Sequence, residues 1–281
     1  FAYNESTDHN TGKVDAICKR PLSDPLIFHT QTSTEYWQRR GSLVHTDTKG
    51  NDLAPPENVR IYHWASAQHV GNPLQERPTR GICQNPANVL QTSMIFRALL
   101  DALDNWVSRA ITPPENQIPT NYKGTLVDFK YWKSQFPKIP NLVTPQAPNK
   151  LSIYDYGPKA DLGIFDTLPP RKIQNCNYVI KVPSVDDDGN ELAGIRVPML
   201  GTPLATYTGW NIRSRNFGEG AMHEFSGSTL IFPETDAVRR MTKDPRKSIE
   251  ERYTSKDNFL MKISAAATDL IKEGFMLEED F

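Results

Sequence analysis

Two stretches of the sequence decide the fold: Pro25-Leu-Ile-Phe-His-Thr-Gln-Thr-Ser-Thr-Glu35-Tyr-Trp37 and Val59-Arg-Ile-Tyr-His-Trp-Ala-Ser-Ala-Gln-His69-Val-Gly71. Each contains a short apolar run of the kind found in a parallel strand that is buried on both faces. Each then passes into small and polar residues and reaches a side chain capable of acid–base chemistry, Glu35 in the first stretch and His69 in the second. We therefore predict two parallel strands whose carboxyl ends carry functional loops.

Two later segments have the periodicity of helices, and the first has the apolar stripe of a helix that packs on a sheet. Between residues 93 and 110, apolar residues recur at spacings of three and four, and Pro113-Pro114 ends the pattern. The members of this stripe are Ile95, Phe96, Leu99, Leu100, Leu103, Trp106 and Val107. A second stripe runs from Asp257 to Phe275, with Ser255 as its predicted N-cap. Strands and helices in this order predict an α/β architecture.

Many of the 22 prolines concentrate between Pro113 and Pro170, which predicts a long irregular segment that wraps over the core. Beyond it, apolar runs at 178–183 and 195–199 flank Asp186-Asp-Asp-Gly-Asn190, the pattern of a β-hairpin around an Asp-Gly turn. The acidic spacing is similar to that of a calcium loop, but Val197 stands where the bidentate Glu would be needed, so we interpret the motif as a turn. We divide the chain into core strands and helices, residues 1–112, and an extension packed on them, residues 113–281.

Composition narrows the class of partner. The 32 Lys and Arg residues balance 33 Asp and Glu, and the net charge of -1 gives no electrostatic reason to expect nucleic acid or an anionic membrane. No apolar run approaches the ~20 residues of a membrane span, and the first residues lack the pattern of a secretion signal, which leaves localisation open. Cys18, Cys83 and Cys176 form no CxxC pair, so structural thiols and one disulfide with a spare thiol both fit. We predict neither a metal nor an organic cofactor.

His69 and Glu35 are the candidate base and acid of a hydrolase triad. A histidine in a loop after a buried strand can swing its imidazole into the cleft above the strand ends. A carboxylate that accepts the Nδ1 proton fixes the tautomer and stabilises the imidazolium. We prefer Glu35 as this acid, and Asp47 is the alternative, although its neighbours have the chemistry of a surface turn. His29 and His63 lie within the predicted strands and are interpreted as structural.

The nucleophile is the missing member of the triad. A nucleophile elbow requires G-x-S-x-G between a strand and a helix, and no serine of the sequence stands in that motif. Ser42 follows a glycine but has no second one, Ser66 has alanine on both sides, and Ser226 lies in Phe-Ser-Gly-Ser. The residues alone therefore indicate an acid and a base without a serine.

Several longer motifs resemble those of a known group, the alpha/beta hydrolase domain-containing family. They include Pro203-Leu-Ala-Thr-Tyr-Thr-Gly-Trp-Asn-Ile-Arg213 and the stretches 27–37, 42–47, 59–69, 81–86, 182–198 and 244–253. The resemblance runs from about residue 7 to residue 281. It implies that the chain corresponds to the C-terminal part of an α/β-hydrolase fold, a parallel sheet with flanking helices, followed by a Pro-rich extension with a β-hairpin. It also implies that Glu35 and His69 match triad positions and that the serine precedes Phe1.

We therefore expect a serine-dependent hydrolase that acts on a small-molecule carboxylic ester, with this chain supplying the acid and the histidine. Without the serine and its oxyanion hole, we expect the chain alone to be inactive and, with an open strand edge, poorly stable. The alternative is a non-catalytic binding or structural module, in which aromatic residues of the Pro-rich segment form a recognition surface. Those residues are Tyr122, Phe129, Tyr131, Trp132, Tyr154 and Tyr156. Substrate identity and oligomeric state stay open.

Overall fold

The computed structural model describes residues 2–71 and 77–281. Its strands are β1 Ser6–Thr7, β2 Val14–Asp15, β3 Ile27–Thr32, β4 Val59–Trp64, β5 Leu126–Val127, β6 Ser152–Asp155, β7 Arg171–Asn177, β8 Val182–Pro183, β9 Ala205–Thr208 and β10 Ser228–Ile231. Its α-helices are α1 Ser33–Gln38, α2 Ser93–Arg109, α3 Phe129–Gln135, α4 Pro198–Gly201, α5 Asp236–Thr242, α6 Ile249–Arg252 and α7 Lys256–Lys272. Single 3₁₀ turns span Gly41–Val44, Ala160–Leu162 and Glu278–Asp280.

β3 and β4 form the predicted parallel pair, but burial on both faces is wrong for β3, whose apolar residues Ile27 and Phe28 are only half-buried. Their register runs without a shift until Thr32 lies opposite Trp64, so both strands end at the same edge. On its far side, β4 is bridged in parallel by Gln117 and Ile195. Within the described residues, no second strand pairs with β3. The carboxyl ends of these two strands are therefore the place where the following loops meet.

Two hydrophobic clusters hold the chain around this pair. The larger cluster joins β4 to α2, α4 and α7 through residues such as Tyr62, Leu200 and Leu270. The smaller cluster contains Trp37 and Trp132, whose ring centroids lie 4.6 Å apart in an edge-to-face arrangement. Each large apolar side chain that is fully buried contributes roughly 1.5–3 kcal/mol. Trp37 belongs to α1, so the second cluster anchors the helix that follows β3.

The predicted stripe on α2 is wider than the face that the helix buries. Ile95 and Leu99 are buried in the larger cluster, whereas Phe96, Leu100 and Val107 are 55%, 62% and 65% exposed. The prediction that the whole stripe packs on a sheet is therefore wrong for these three residues. The physical reason is that a pair of strands offers too little sheet surface to cover such a broad apolar face.

Segment 113–170 combines irregular chain with elements that its prolines did not indicate. These elements are β5, α3 and β6, and β6 pairs with β7 in an antiparallel hairpin. The six aromatic residues considered as a recognition surface divide into two groups: Phe129 and Trp132 pack in the smaller cluster, while Tyr122, Tyr131, Tyr154 and Tyr156 are exposed. Two of these six residues therefore belong to the core, and four stay exposed.

The Asp-Gly turn forms a hairpin that is shorter than predicted. The amide of Leu192 donates to the Ser184 carbonyl, which closes the hairpin over residues 184–192. The predicted flanking runs do not pair with each other, because β8 pairs with β5 while Ile195 bridges Trp64 of β4. These partners bury Val182 and Ile195, which a two-stranded hairpin would leave exposed.

Two further features concern the cysteines and the membrane. Cys18, Cys83 and Cys176 are free thiols, and burial raises the pKa of Cys83. Across residues 2–71 and 77–281, no helix combines the length and the apolar character needed to cross a bilayer.

Candidate active site

Glu35 is fixed in the first turn of α1 by the residue that caps the helix. The chain leaves β3 at Thr32, which is also the N-cap residue of α1. The amide and the hydroxyl of Thr32 each donate to Glu35 Oε2 at 2.6 Å, as in a capping box. A carboxylate at this position is also favoured by the helix dipole. Oε2 of Glu35 thus accepts the hydrogen bonds at the helix terminus, and Oε1 is left to accept from another group.

His69 is the partner of that second oxygen. Its Nδ1 lies 2.5 Å from Glu35 Oε1, and its backbone amide donates to Thr34 Oγ1 at 3.2 Å. An ionised carboxylate only accepts hydrogen bonds, so the proton of this contact belongs to Nδ1 and the lone pair is left on Nε2. The side chain of Glu35 is 16% exposed and that of His69 is 44% exposed. The structure therefore presents an oriented imidazole whose outer edge can accept a proton from a hydroxyl group.

Phe225 packs against the imidazole of His69. The two ring centroids are 4.5 Å apart with the planes tilted by 31°, and the guanidinium of Arg39 lies 4.7 Å from the Phe225 ring centroid. The amide of Phe225 donates to Gln38 Oε1 at 3.1 Å. Phe225 has a φ of +61°, a left-handed conformation that costs about 1–3 kcal/mol for a bulky residue. These contacts hold Phe225 in place and limit the rotation of the imidazole.

The loop that carries His69 is tied down at several points. Ser66 adopts a left-handed φ of +57°, and its carbonyl accepts from Asn88 Nδ2 at 2.6 Å. The Ser66 amide donates to Glu191 Oε2 at 2.5 Å, and its hydroxyl accepts from the Glu191 amide at 2.9 Å. Gln68 Oε1 accepts from the Gly227 amide at 3.0 Å. His69 is thus presented by a loop with little conformational freedom.

A comparison with family models identifies the group to which this chain belongs. A model described as alpha/beta hydrolase domain matches residues 3–281. The chain belongs to this alpha/beta hydrolase family. The resemblance seen in the sequence motifs is thereby confirmed, and membership indicates a hydrolase in general terms. No curated protein and no solved structure matches the chain significantly.

Asp47, the alternative acid, lies in a turn of this alpha/beta hydrolase and contacts other partners than His69. Its Oδ1 accepts from the amides of Lys49 and Asn51 at 2.9 Å, and its Oδ2 accepts from the Asn51 side chain at 2.9 Å. The carboxylate therefore closes the turn in which it stands. Of the two candidate acids, Glu35 is the one that the fold brings to the imidazole.

His29 and His63 have partners inside the alpha/beta hydrolase chain. His29 Nδ1 lies 2.9 Å from the hydroxyl of Tyr3, and burial lowers the pKa of His29. His63 is fully buried, and its Nε2 lies 2.8 Å from Glu191 Oε2. The hydrogen bonds of His29 and His63 thus go to Tyr3 and Glu191, whereas the Glu35 carboxylate binds His69. The sequence gives Glu191 no signal of its own, because it directly follows an acidic turn motif, Asp186-Asp-Asp-Gly-Asn190.

The serines of the described residues do not complete a triad with His69. None of the hydroxyl groups described in residues 2–71 and 77–281 makes a hydrogen bond to His69 Nε2. Ser33 Oγ donates to Glu191 Oε1 at 2.5 Å, and Ser42 Oγ accepts from the Lys181 amide at 3.1 Å. These hydroxyl groups are committed to structural contacts.

The acidic motif at 186–190 builds its own turn. Asp186 Oδ1 accepts from the amides of Asp188 and Asn190 at 3.0 and 2.9 Å, and burial raises the pKa of Asp186. Asp188 forms a bidentate pair with Arg252 of α6. The side chains that give the motif its acidic spacing are therefore used to shape and anchor the hairpin.

Proposed function

We propose that this alpha/beta hydrolase is a serine-dependent carboxylic-ester hydrolase in which His69 is the general base and Glu35 orients it. One observation carries the proposal: the Glu35 carboxylate bridges the N-cap of α1 and Nδ1 of His69, while the imidazole stays partly exposed. Two parallel strands that end at one edge deliver both side chains. This is the acid–histidine arrangement that acyl-transfer chemistry requires.

In the proposed reaction, Nε2 of His69 takes the proton of a serine hydroxyl as the serine oxygen attacks the ester carbonyl. The same nitrogen then gives that proton to the leaving alcohol, and a water molecule repeats the two transfers to release the acid. Glu35 accepts the Nδ1 hydrogen bond throughout and stabilises the imidazolium by its negative charge. A hydrogen bond to a charged group of this kind contributes about 1.5–3 kcal/mol.

The serine of the proposed triad is one that these 281 residues do not supply. The sequence lacks a nucleophile elbow, and the described serines point to structural partners, as Ser33 does to Glu191. The Phe225 ring packs against the imidazole of His69, and the next residue in the chain, Val70, is 63% exposed. An apolar ring beside the proposed base suits the acyl or alcohol portion of a small ester.

Active-site labelling of the native gene product tests the proposal. A fluorophosphonate probe is reacted with the wild-type protein and with the His69→Ala and His9→Ala variants, and ester hydrolysis is measured in parallel. His9 is a matched control because its ring contacts Thr48 in an exposed loop. We expect labelling and hydrolysis to be lost in His69→Ala and kept in His9→Ala.

Equal labelling of the His69→Ala variant and the wild type would refute the triad. Absence of labelling and of ester hydrolysis in the wild type would favour the alternative, a non-catalytic binding or structural module. The 281-residue chain is labelled under the same conditions, and we expect no reaction. A labelled serine within this chain would show that the nucleophile had been assigned to the wrong place.

A further inference from the structure

A buried carboxylate, that of Glu191, lies between the ends of the two strands that carry the candidate acid and base. Its side chain is 5% exposed. Oε1 accepts from Ser33 Oγ at 2.5 Å, and Oε2 accepts from the Ser66 amide at 2.5 Å and from His63 Nε2 at 2.8 Å. Ser33 is two residues before Glu35, and Ser66 is three residues before His69. One carboxylate therefore contacts both segments that carry the candidate dyad, Glu35 and His69.

We propose that Glu191 is a positioning residue that fixes the loops of Glu35 and His69 relative to each other. The role given to these loops rests on the proposed function, whereas the contacts of Glu191 do not. Three donors from the start of α1, from β4 and from the loop after β4 converge on its two oxygens. Moving any one of these segments would leave a hydrogen bond of the buried carboxylate unmade.

Burial makes this arrangement sensitive to position. An ionised carboxylate removed from water is tolerated only when hydrogen bonds replace its hydration, and an unpaired one is strongly destabilising. All the hydrogen bonds to Glu191 can therefore form only when the end of β3 and the loop after β4 lie at one particular distance from each other. Ser66 is held in its left-handed conformation by the same contacts, because its amide and its hydroxyl both bind Glu191.

The hairpin at 184–192 gives Glu191 a rigid base. Gly189 has a φ of +83° at the turn, and Asp186 accepts two amides of the same turn. The next residue, Asn190, donates from Nδ2 to the Ala205 carbonyl at 3.1 Å and accepts from the Tyr207 amide at 2.8 Å. The hairpin is thus fastened to β9 on one side while it presents Glu191 to the strand ends on the other. This assigns a use to the Asp-Gly motif that the proposed reaction leaves unexplained.

The proposal is tested with Glu191→Gln, which keeps the size of the side chain but places an amide among donors. The control is Asp244→Asn, because Asp244 is another buried carboxylate and its partner is Arg246 rather than a segment of the dyad. Three quantities are measured: the Nδ1–H proton resonance of His69 in ¹⁵N-histidine-labelled protein, the thermal unfolding temperature, and kcat and KM for ester hydrolysis by the native gene product.

We expect Glu191→Gln to broaden or shift the His69 Nδ1–H resonance and to lower kcat by about 10²-fold with KM unchanged, the cost of a misplacement near 1 Å. Asp244→Asn is expected to lower the unfolding temperature without moving that resonance. A folded Glu191→Gln variant with a wild-type resonance and wild-type kcat would overturn the proposal.

A second variant and an independent measurement keep the proposal testable if Glu191→Gln does not fold or if the protein shows no hydrolase activity. If Glu191→Gln does not fold, Ser33→Ala removes one donor while it leaves the carboxylate in place, and an unchanged His69 resonance in that variant would overturn the proposal. If the wild-type protein neither labels with the probe nor hydrolyses esters, the proposed function fails by itself. The resonance comparison still decides whether Glu191 fixes the position of His69.

Discussion

Replacing Glu35 by Gln is the perturbation that separates the two roles of this carboxylate. In the native site, Oε2 accepts two hydrogen bonds from Thr32, and Oε1 accepts one from His69 Nδ1. The amide of Gln has a single oxygen. That oxygen is expected to stay with Thr32, since two donors would otherwise face the NH₂ group. The NH₂ group is then directed at Nδ1 of His69, which must become an acceptor.

The expected magnitudes follow from this exchange. With Nδ1 as an acceptor, the imidazole proton moves to Nε2, and Nε2 can no longer take a proton from a hydroxyl. The wrong tautomer in a Ser-His-Asp triad lowers kcat by about 10⁴-fold, which corresponds to about 5.4 kcal/mol of activation free energy. The helix loses the charge at its N-terminus but keeps its cap contacts, so we expect stability to fall by about 1 kcal/mol, or about 2 °C in unfolding temperature.

The assays are the kcat of the native gene product on a chromogenic ester, the unfolding temperature, and ¹⁵N shifts that report the His69 tautomer. Glu251→Gln is the matched control, because Glu251 makes the same contacts to the N-cap residue Ser248 of α6 at 2.8 Å. That variant should show a similar loss of stability with kcat unchanged. A Glu35→Gln variant that keeps the native tautomer and a kcat within tenfold of wild type would refute the reasoning.

Three further predictions concern the surroundings of the dyad. Burial lowers the pKa of His45 to about 4 from 6.5. Between pH 6.5 and pH 4, the unfolded chain therefore binds a proton at His45 that the folded chain does not bind. The free energy of unfolding should therefore fall from pH 6.5 to 4 by about 3 kcal/mol more in the wild type than in His45→Gln, as measured by denaturant titration, and parallel pH profiles would contradict this. Gly209→Ala would place a Cβ 2.4 Å from the backbone of Ser33 and should lower the free energy of unfolding by about 1–3 kcal/mol, as measured by thermal unfolding. Gly71→Ala is the control, because its Cβ would stay 3.7 Å from the nearest atom, and it should cost less. Equal losses in the two variants would count against the close contact at Gly209. Phe225→Ala should broaden the ring resonances of His69 while Phe225→Tyr should not, and sharp signals in both variants would show that the stacked ring does not restrain the imidazole.

Local sequence patterns were sufficient to predict that the two candidate residues, Glu35 and His69, lie near the ends of the strands. Glu35 and His69 follow apolar runs that both form strands, although only β4 is buried along its length, and two parallel strands in register end at the same edge. Asp47 was separated from them by the turn chemistry of its neighbours, which is also local. The helix at 256–272 and its N-cap Ser255 were accessible for the same reason.

Contacts between distant segments could not be read in this way. Glu191 is 125 residues from Ser66 and 158 from Ser33, and its burial depends on where the hairpin docks. The predicted hairpin would have given one indication that Glu191 is buried. It places Glu191 opposite Val185, so the carboxylate lies beside an apolar residue. The exposed half of the α2 stripe escaped prediction because periodicity reports the width of an apolar face and gives no measure of the surface that covers it.

The capping role of Glu35 has a consequence for the order in which the site is assembled. Thr32 and Glu35 are three residues apart, so their contact closes a very short loop and requires only the first turn of α1. The loop of His69 depends on Asn88 and Glu191, which close segments of 22 and 125 residues. Loop-closure entropy rises with segment length, and contacts of long range form late. We therefore expect the capping contact between Thr32 and Glu35 to form early in folding and the contacts that fix the loop of His69 to form later.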